Sequence, residues 1–314
     1  MNSELTVLMT VYNGEPYLQA AMDSILNQTY SDFCFLIIDD ASTDSTREIV
    51  RSYSDDRINL VCLKYNVGQT AALNLGLEQA TTPWVARMDA DDYSAPTRFE
   101  EQMNALKADP SLSCVGTHVW IFRNDPQVVE TVMEPPLHHD EIKRELLRGT
   151  PLIHGSMVVS TAAMRGVGGY DDRYRLIADM ELYDNLLPGY IAANVPELLL
   201  GVRRHSGQSS NSSLVLDENI DLCTRRLSSN NYSHDEAAIV RATLSRFHLF
   251  RARYWGSKYK IGQMGKDLIQ ALAISPKTFP KSCLTVFVIS LMSERFRARL
   301  RGAMTRIVPS LARG

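Results

Sequence analysis

The chain has 314 residues, 45% of them hydrophobic and 22% charged, and a formal net charge of −3. This is the composition of a folded chain long enough for one large core and a smaller appendage, and it excludes a disordered, collagen-like or disulfide-stapled protein. The nearest approach to a membrane span is the apolar run from Cys283 to Met292, well short of the ~18–20 residues that crossing requires.

The opening stretch MNSELTVLMTVYNG has no basic leader and runs straight into a strand pattern, so no targeting segment is expected. Residues 5–11 predict a buried strand that ends in Tyr12, Asn13 and Gly14. Residues 15–28 predict a helix, because Leu18, Met22, Ile25 and Leu26 share one stripe. A second buried strand follows at 33–39, and a helix opening on capping residues at 42–53. The alternation continues with a strand at 58–63, a helix at 68–80 and a strand at 83–88. Short apolar strands separated by helices imply βαβ crossovers, hence an α/β fold with a doubly wound, mostly parallel sheet.

Beyond residue 110 the pattern loosens. Strands are expected at 112–122 and 128–133, a helix at 138–149, and another strand at 152–160. Residues 167–187 read as a glycine turn entering a helix, and 195–210 as a last strand running into a polar loop. The stretch GQSSNSS places a boundary near 210, giving a catalytic domain over 1–210 and a helical region over 211–314. Helices are expected there at about 214–230, 234–254, 260–273 and 280–301. Cys34, Cys62, Cys114, Cys223 and Cys283 are scattered singly, which suits reduced thiols in a cytoplasmic protein.

The acids collect at predicted strand ends. Asp39 and Asp40 follow the second strand; Asp89, Asp91 and Asp92 follow the fourth. In doubly wound sheets ligands bind beyond the carboxyl ends of the strands. Asp89-x-Asp91 on a tight turn suits a hard divalent cation, Mn²⁺ or Mg²⁺, which takes one or two carboxylates and completes its shell with phosphate oxygens and water. No glycine-rich phosphate loop follows the first strand, so P-loop NTPases and dinucleotide oxidoreductases are excluded.

Six stretches in order carry a resemblance: TVLMTVYNG through IIDDASTDST, NVGQTAALNLGL, ARMDADD with PTR, HGSM, GGYDDRYRLIADMEL and RRHSGQSS. Together, over about residues 4–210, they resemble the family 2 glycosyltransferases, inverting enzymes of the GT-A fold that use nucleotide-diphosphate sugars. The resemblance implies that Thr10, Tyr12 and Asn13 line the nucleotide pocket. It implies that Asp40 accepts a hydrogen bond from a uracil or thymine base, with Asp39 the second candidate. Asp89 would sit near the ribose and also serve the metal, and Asp91 would be the main metal ligand. Asp179 would be the general base, and Glu181 a substitute for it. The family usually has Glu-Asp where this chain has Ala178-Asp179, so the acidic neighbour is lost. His205 matches a position near the diphosphate, although the tyrosine of that family pattern is missing here. Arg203 is a second phosphate candidate, His154 would face the acceptor, and Arg98 would brace the acidic turn by bidentate pairing.

Charge is divided unevenly, with −13 over residues 1–210 and +10 over residues 211–314. Arg295, Arg297, Arg299, Arg301, Arg306 and Arg313 border an apolar run, a pattern that suits an anionic membrane surface rather than nucleic acid. The expectation is a peripheral enzyme on the inner face of the cytoplasmic membrane. It would move one hexosyl or N-acetylhexosaminyl unit to a glycan or polyisoprenoid-linked glycan, in lipopolysaccharide or exopolysaccharide synthesis. The competing readings are an inactive nucleotide-sugar-binding regulator and a sugar-1-phosphate nucleotidyltransferase. Release of UDP or dTDP, as against pyrophosphate, separates the two enzymes.

Overall fold

The computed structural model describes residues 3–207, 213–229, 231–276 and 279. The chain divides into two compact units, Met1–Gln208 and Ser209–Gly314.

In the first unit, β1 (Leu5–Val11) and β2 (Phe33–Asp39) are continuous apolar runs because both faces of the sheet are covered. They pair in parallel with each other, β1 also with β4 (Trp84–Asp89), and β2 with β3 (Ile58–Cys62). The helices α1 (Leu18–Leu26), α2 (Thr46–Arg51) and α3 (Gln69–Gln79) connect them. One face of β1, β2 and β4 packs Val7, Met9, Phe35, Ile37 and Met88 against Leu18, Met22 and Phe99. Full burial of each such side chain stabilises the fold by about 1.5–3 kcal/mol.

Beyond β4 the sheet turns mixed. Its order is β3-β2-β1-β4-β8-β6-β9-β5, with β7 (Thr131–Met133) paired to β6 (Leu112–Phe122). The pairing of β6 with β9 (Ile191–Arg203) is parallel; β5 (Tyr93–Ser94), β7 and β8 (Val158–Ser160) are short antiparallel strands. Parallel ladders therefore carry most of the sheet, as the alternation of strands and helices predicts.

Several boundaries differ from the sequence reading. Residues 98–108 form α4 (Arg98–Ala108), which the sequence reading omits. Residues 152–160 are not one strand: a single 3-10 turn (His154–Ser156) precedes β8. Its Ser156 N–H donates to Ile153 O and its Ser156 Oγ accepts from Thr117 N–H, so the backbone bends instead of continuing a ladder. The helix within 167–187 is confined to α7 (Ala178–Leu186), and the last strand, Ile191–Arg203, begins before the expected 195 and gives way to the loop after Arg203. The short helices α5 (His139–Leu146) and α6 (Thr161–Gly166) complete this unit.

The second unit contains α8 (Ser213–Ser228), α9 (His234–Ser257) and α10 (Ile261–Ile274). Ser233 caps α9: its hydroxyl accepts from Glu236 N–H while the Glu236 carboxylate accepts from Ser233 N–H. Ala252, Met264, Leu268 and Ala271 form its apolar core. The expected helix at 280–301 and the arginine-rich tail lie outside the described residues. Among the described residues no helix is long and apolar enough to cross a membrane.

Candidate active site

The parallel strands end level with one another. Val11 is paired with Asp39, and Thr10 with Asp89, so the residues after β1, β2 and β4 meet at one edge of the sheet. On the β1 side, Tyr12 is 53% exposed. Thr10 is buried, and its Oγ1 has no hydrogen-bond partner among the described residues. Asn13 adopts a left-handed φ of 53° and ties this end to the next loop, donating its N–H to Ser42 Oγ and accepting from Thr43 N–H at 2.8 Å.

The two acids after β2 have different surroundings. Asp39 is fully buried, accepts from Ser42 N–H, and is ion-paired to Arg47 Nε at 2.5 Å. That engagement makes it an anchor for the β2–α2 loop rather than a reader of a base. Asp40 accepts from the backbone N–H groups of Val67 at 2.7 Å and Gly68 at 2.9 Å. Gly68 supplies a φ of 88°, which a residue with a Cβ adopts only with strain. Two of the roughly four acceptor directions of the Asp40 carboxylate remain.

The acidic turn lies between β4 and β5, and β5 pairs with β9. This pairing carries the end of β9 alongside the turn. His205 Nε2 lies 2.8 Å from Asp91 Oδ2, and the imidazole rests on the Tyr17 ring. Arg203 is buried and braces the turn: its Nε donates to Asp91 O at 2.8 Å and its N–H to Asp92 Oδ1 at 2.9 Å. Its Nη1 donates to the carbonyls of Arg123 and Asn124, and the guanidinium lies over the Tyr17 and Phe122 rings. These partners account for Arg203 without a phosphate. Arg98 likewise braces backbone rather than carboxylates, donating to Arg87 O at 2.8 Å and to Gln102 Oε1. The bidentate pairing expected for Arg98 is not formed, because the helix start directs it beneath β4.

Three carboxylates within four positions repel one another. Burial, then Asp89 and Asp91, push the Asp92 carboxyl well above the usual range. Burial and Asp89 raise Asp91, against the pull of His205. Asp89 pairs with the buried guanidinium of Arg87. Among the described residues no three His, Cys, Asp or Glu side chains form a closed metal cage. The donor set fits an open site instead: hard oxygens on the partly exposed Asp89 and Asp91, and excess negative charge.

On the other side stands α7. Asp179 is half-buried in its first turn, and burial raises its carboxyl to about 6, against the pull of the helix-start N–H groups and Arg87. Glu181 is buried and accepts from Asn185 at 2.8 Å, which ties it to its own helix. His154 Nε2 lies 2.7 Å from Tyr170 Oη, and burial followed by Arg87 holds its imidazole well below its usual value, so it is neutral. The 3-10 turn comes close to the acids: a Cβ at Gly155 would lie 3.1 Å from Asp89 Oδ2 and 3.2 Å from Asp92 Oδ2. The sequence reading missed Tyr17, Tyr170 and the anchor Arg47. Only the GGYDD stretch offered a signal, since the positive φ of Gly169 turns Tyr170 inward.

A family model, Glycosyl transferase family 2, matches residues 6–164. Putative glycosyltransferase EpsE of Bacillus subtilis is 31% identical over 79% of this chain and 95% of its own length. O-antigen biosynthesis glycosyltransferase WbnJ of Escherichia coli is 30% identical over 68% of this chain and 85% of its own length. Among solved structures, S. aureus TarS 1-349 in complex with UDP-GlcNAc superposes with a TM-score of 0.68 at 16% identity, covering 96% of this chain and 87% of that one. The mannosyltransferase PcManGT from Pyrobaculum calidifontis, with GDP-Man and Mn²⁺, gives 0.61 at 19% identity over 95% and 83%. At those identities the likeness shows the fold, which is GT-A.

Proposed function

The chain belongs to glycosyl transferase family 2 and is a glycosyltransferase, and on that premise we propose that it inverts the sugar it transfers, by a single metal-assisted displacement. The donor is a UDP- or dTDP-linked sugar, and the acceptor a hydroxyl of a glycan or polyisoprenoid-linked glycan in cell-surface polysaccharide synthesis. One observation carries this reading. A raised carboxyl, Asp179, lies within electrostatic reach of Asp89 in an under-neutralised acidic turn at level strand ends.

Tyr12 offers an exposed ring at the base position, and Asp40 supplies the acceptor for the base N–H. Asp91, with Asp89, would hold Mn²⁺ or Mg²⁺, which would supply electrostatic neutralisation of the leaving diphosphate. His205 orients Asp91, and Arg203 fixes the backbone of the turn. Asp179 takes the acceptor hydroxyl proton as that oxygen attacks the anomeric carbon and the carbon–oxygen bond to the diphosphate breaks. A base near 6 is largely ionised at neutral pH yet basic enough to accept a proton, a contribution of ~10²–10⁴ in rate.

The division into two units after Gln208 supports a catalytic domain followed by a helical region. Its basic C-terminal stretch suits an anionic bilayer carrying a lipid-linked acceptor. WbnJ is named for O-antigen biosynthesis, which agrees with such an acceptor. The test is product analysis with a panel of nucleotide sugars and lipid-linked acceptors. Release of nucleoside diphosphate and an inverted anomeric centre are expected; a retained configuration would end the single-displacement reading.

A further inference from the structure

A cleft of about 530 Å³ opens beside the 3-10 turn, within the ~300–1,000 Å³ range of small-ligand sites. None of the site residues described above lines it. Its apolar lining is Met133 at the end of β7, Pro135, Pro136 and Ile153. Its charged lining has both signs. Glu134 follows β7, Glu141, Arg144 and Glu145 stand at helical spacing on α5, and Arg148 lies just beyond that helix. The other face of α5, Ile142 and Leu146, is buried. Arg148 pairs with Glu145 at 3.8 Å and donates to Arg144 O. Glu134, Glu141 and Arg144 are exposed, and their side chains have no hydrogen-bond or ion-pair partner among the described residues.

Polar groups of the sheet hold the walls of the cleft in place. Asn194 of β9, 5% exposed, donates through Nδ2 to Pro136 O at 2.6 Å and to Pro151 O at 3.1 Å, and through its N–H to Leu137 O. His118 Nε2 of β6 lies 3.1 Å from Pro135 O. The segment after β7 and the segment before the 3-10 turn are thus tied to the same two strands, and two consecutive prolines stiffen the first. Topology then places the cleft relative to the site. In the sheet order, β1, β2 and β3 lie on one side of β4, and β8, β6 and β9 lie on the other, with β7 on β6. The strand ends that carry Asn13 and Asp40 are on the first side, the cleft is on the second, and the acidic turn after β4 stands between them. Ile153 lines the cleft; Gly155, two residues on, is the residue whose Cβ would lie 3.1 Å from Asp89 Oδ2. Two residues of chain reach at most ~7 Å. Helix α5 also packs against α7, which carries Asp179.

We propose that this cleft is the acceptor site and that it binds the terminal sugars of an uncharged glycan. The inference rests on the functional reading above, and adds where the acceptor lies and what its bound part is. Sugar hydroxyls both donate and accept, and the ring between them presents C–H faces. Glu134 and Glu141 accept from hydroxyls, and Arg144 donates to them. Met133, the two prolines and Ile153 cover the C–H faces. Three carboxylates against two guanidiniums leave the lining net negative, which disfavours a sugar acid or a diphosphate. A carrier diphosphate, where the acceptor has one, therefore stays outside the cleft.

The test is saturation-transfer NMR on the full chain with UDP and Mg²⁺, with the methyl glycosides of glucose, galactose, N-acetylglucosamine and rhamnose as probes. At least one of the four should receive saturation from the wild type. Glu141→Ala and Arg144→Ala, surface changes on α5, should each weaken that binding by about tenfold or more, the usual loss for a hydrogen bond to a charged group. Lys143→Ala, on α5 but outside the cleft, should bind as the wild type does. Binding of none of the four, or binding that both cleft variants leave unchanged, would overturn the inference. So would binding of inorganic diphosphate in EDTA that Arg144→Ala abolishes, since that assigns the cleft to an anion. Thermal stabilisation by UDP reports the donor side separately. A shift with UDP and no glycoside binding would remove the acceptor assignment alone. No shift with any nucleotide would overturn the functional reading and this inference with it.

Discussion

The helical unit and the candidate site of the sheet unit hold their acids in opposite ways. In the helical unit, Asp267 is 3% exposed and surrounded by donors: His248 Nδ1 at 2.8 Å and Arg251, which reaches both of its oxygens. Burial alone would raise its carboxyl, but those partners hold it below the usual range. In the sheet unit, Asp91, Asp92 and Asp179 are all pushed upward, because too few cations meet them. A buried acid with satisfied partners fixes helices to one another. Wholly or partly buried acids left short of partners mark a place where something else binds or a proton moves.

The largest expected effect falls on the unsatisfied side. Asp179→Asn should lower the transfer rate by ~10²–10⁴ while the donor still binds, measured as turnover against donor affinity. Retained turnover would move the base elsewhere and erase the contrast. The rate should also depend on pH through the same group. The base works ionised, so turnover should fall as pH drops through about 6. A flat profile from pH 5 to 8 would show that Asp179 does not titrate in the reaction.

On the satisfied side the effect is structural. Asp267→Ala leaves His248 and Arg251 without their shared acceptor, and should destabilise the protein by about 3–5 kcal/mol in denaturant titration. Linkage gives the two acids opposite signs. Asp267, depressed in the folded state, contributes stability above its unfolded value and loses it as pH falls. Asp179, raised in the folded state, favours the fold at low pH and opposes it as pH rises through about 6. Asp179→Asn should therefore stabilise the protein at pH 7 and do so less at pH 4. The smallest effect belongs to a local device: Ser233→Ala removes the α9 capping box and should cost about 1 kcal/mol.

The half of the fold that positions the site was readable, because buried parallel strands appear as continuous apolar runs. LTVLMTV and FCFLIID leave no alternative; their ends locate Asn13 and Asp40, and the end of WVARMD locates the acidic turn. Helix α4 was missed for the opposite reason. Its buried face includes Arg98 and Gln102, whose side chains hold β4, β6 and the 3-10 turn together through backbone carbonyls. Phe99, Met103 and Leu106 do fall at helical spacing on that face, but the buried polar residues between them thin the stripe. The strand expected at 152–160 failed because Gly155 closes a turn against Asp89 and Asp92, a tertiary contact that no local pattern encodes. Asp39 and Asp40 look equivalent in sequence. Only Arg47, eight residues beyond Asp39, and the Val67–Gly68 backbone, far beyond Asp40, distinguish them.

The central claim is that the acidic turn after β4 holds a cation on a nucleoside diphosphate. Thermal stabilisation by UDP, dTDP and GDP, each with Mn²⁺, with Mg²⁺ and with EDTA, tests it directly, since a ligand that binds only the folded state raises its apparent stability. The account predicts a shift with UDP or dTDP that disappears in EDTA and in Asp91→Ala. A shift that survives both, or none with any nucleotide, would contradict it.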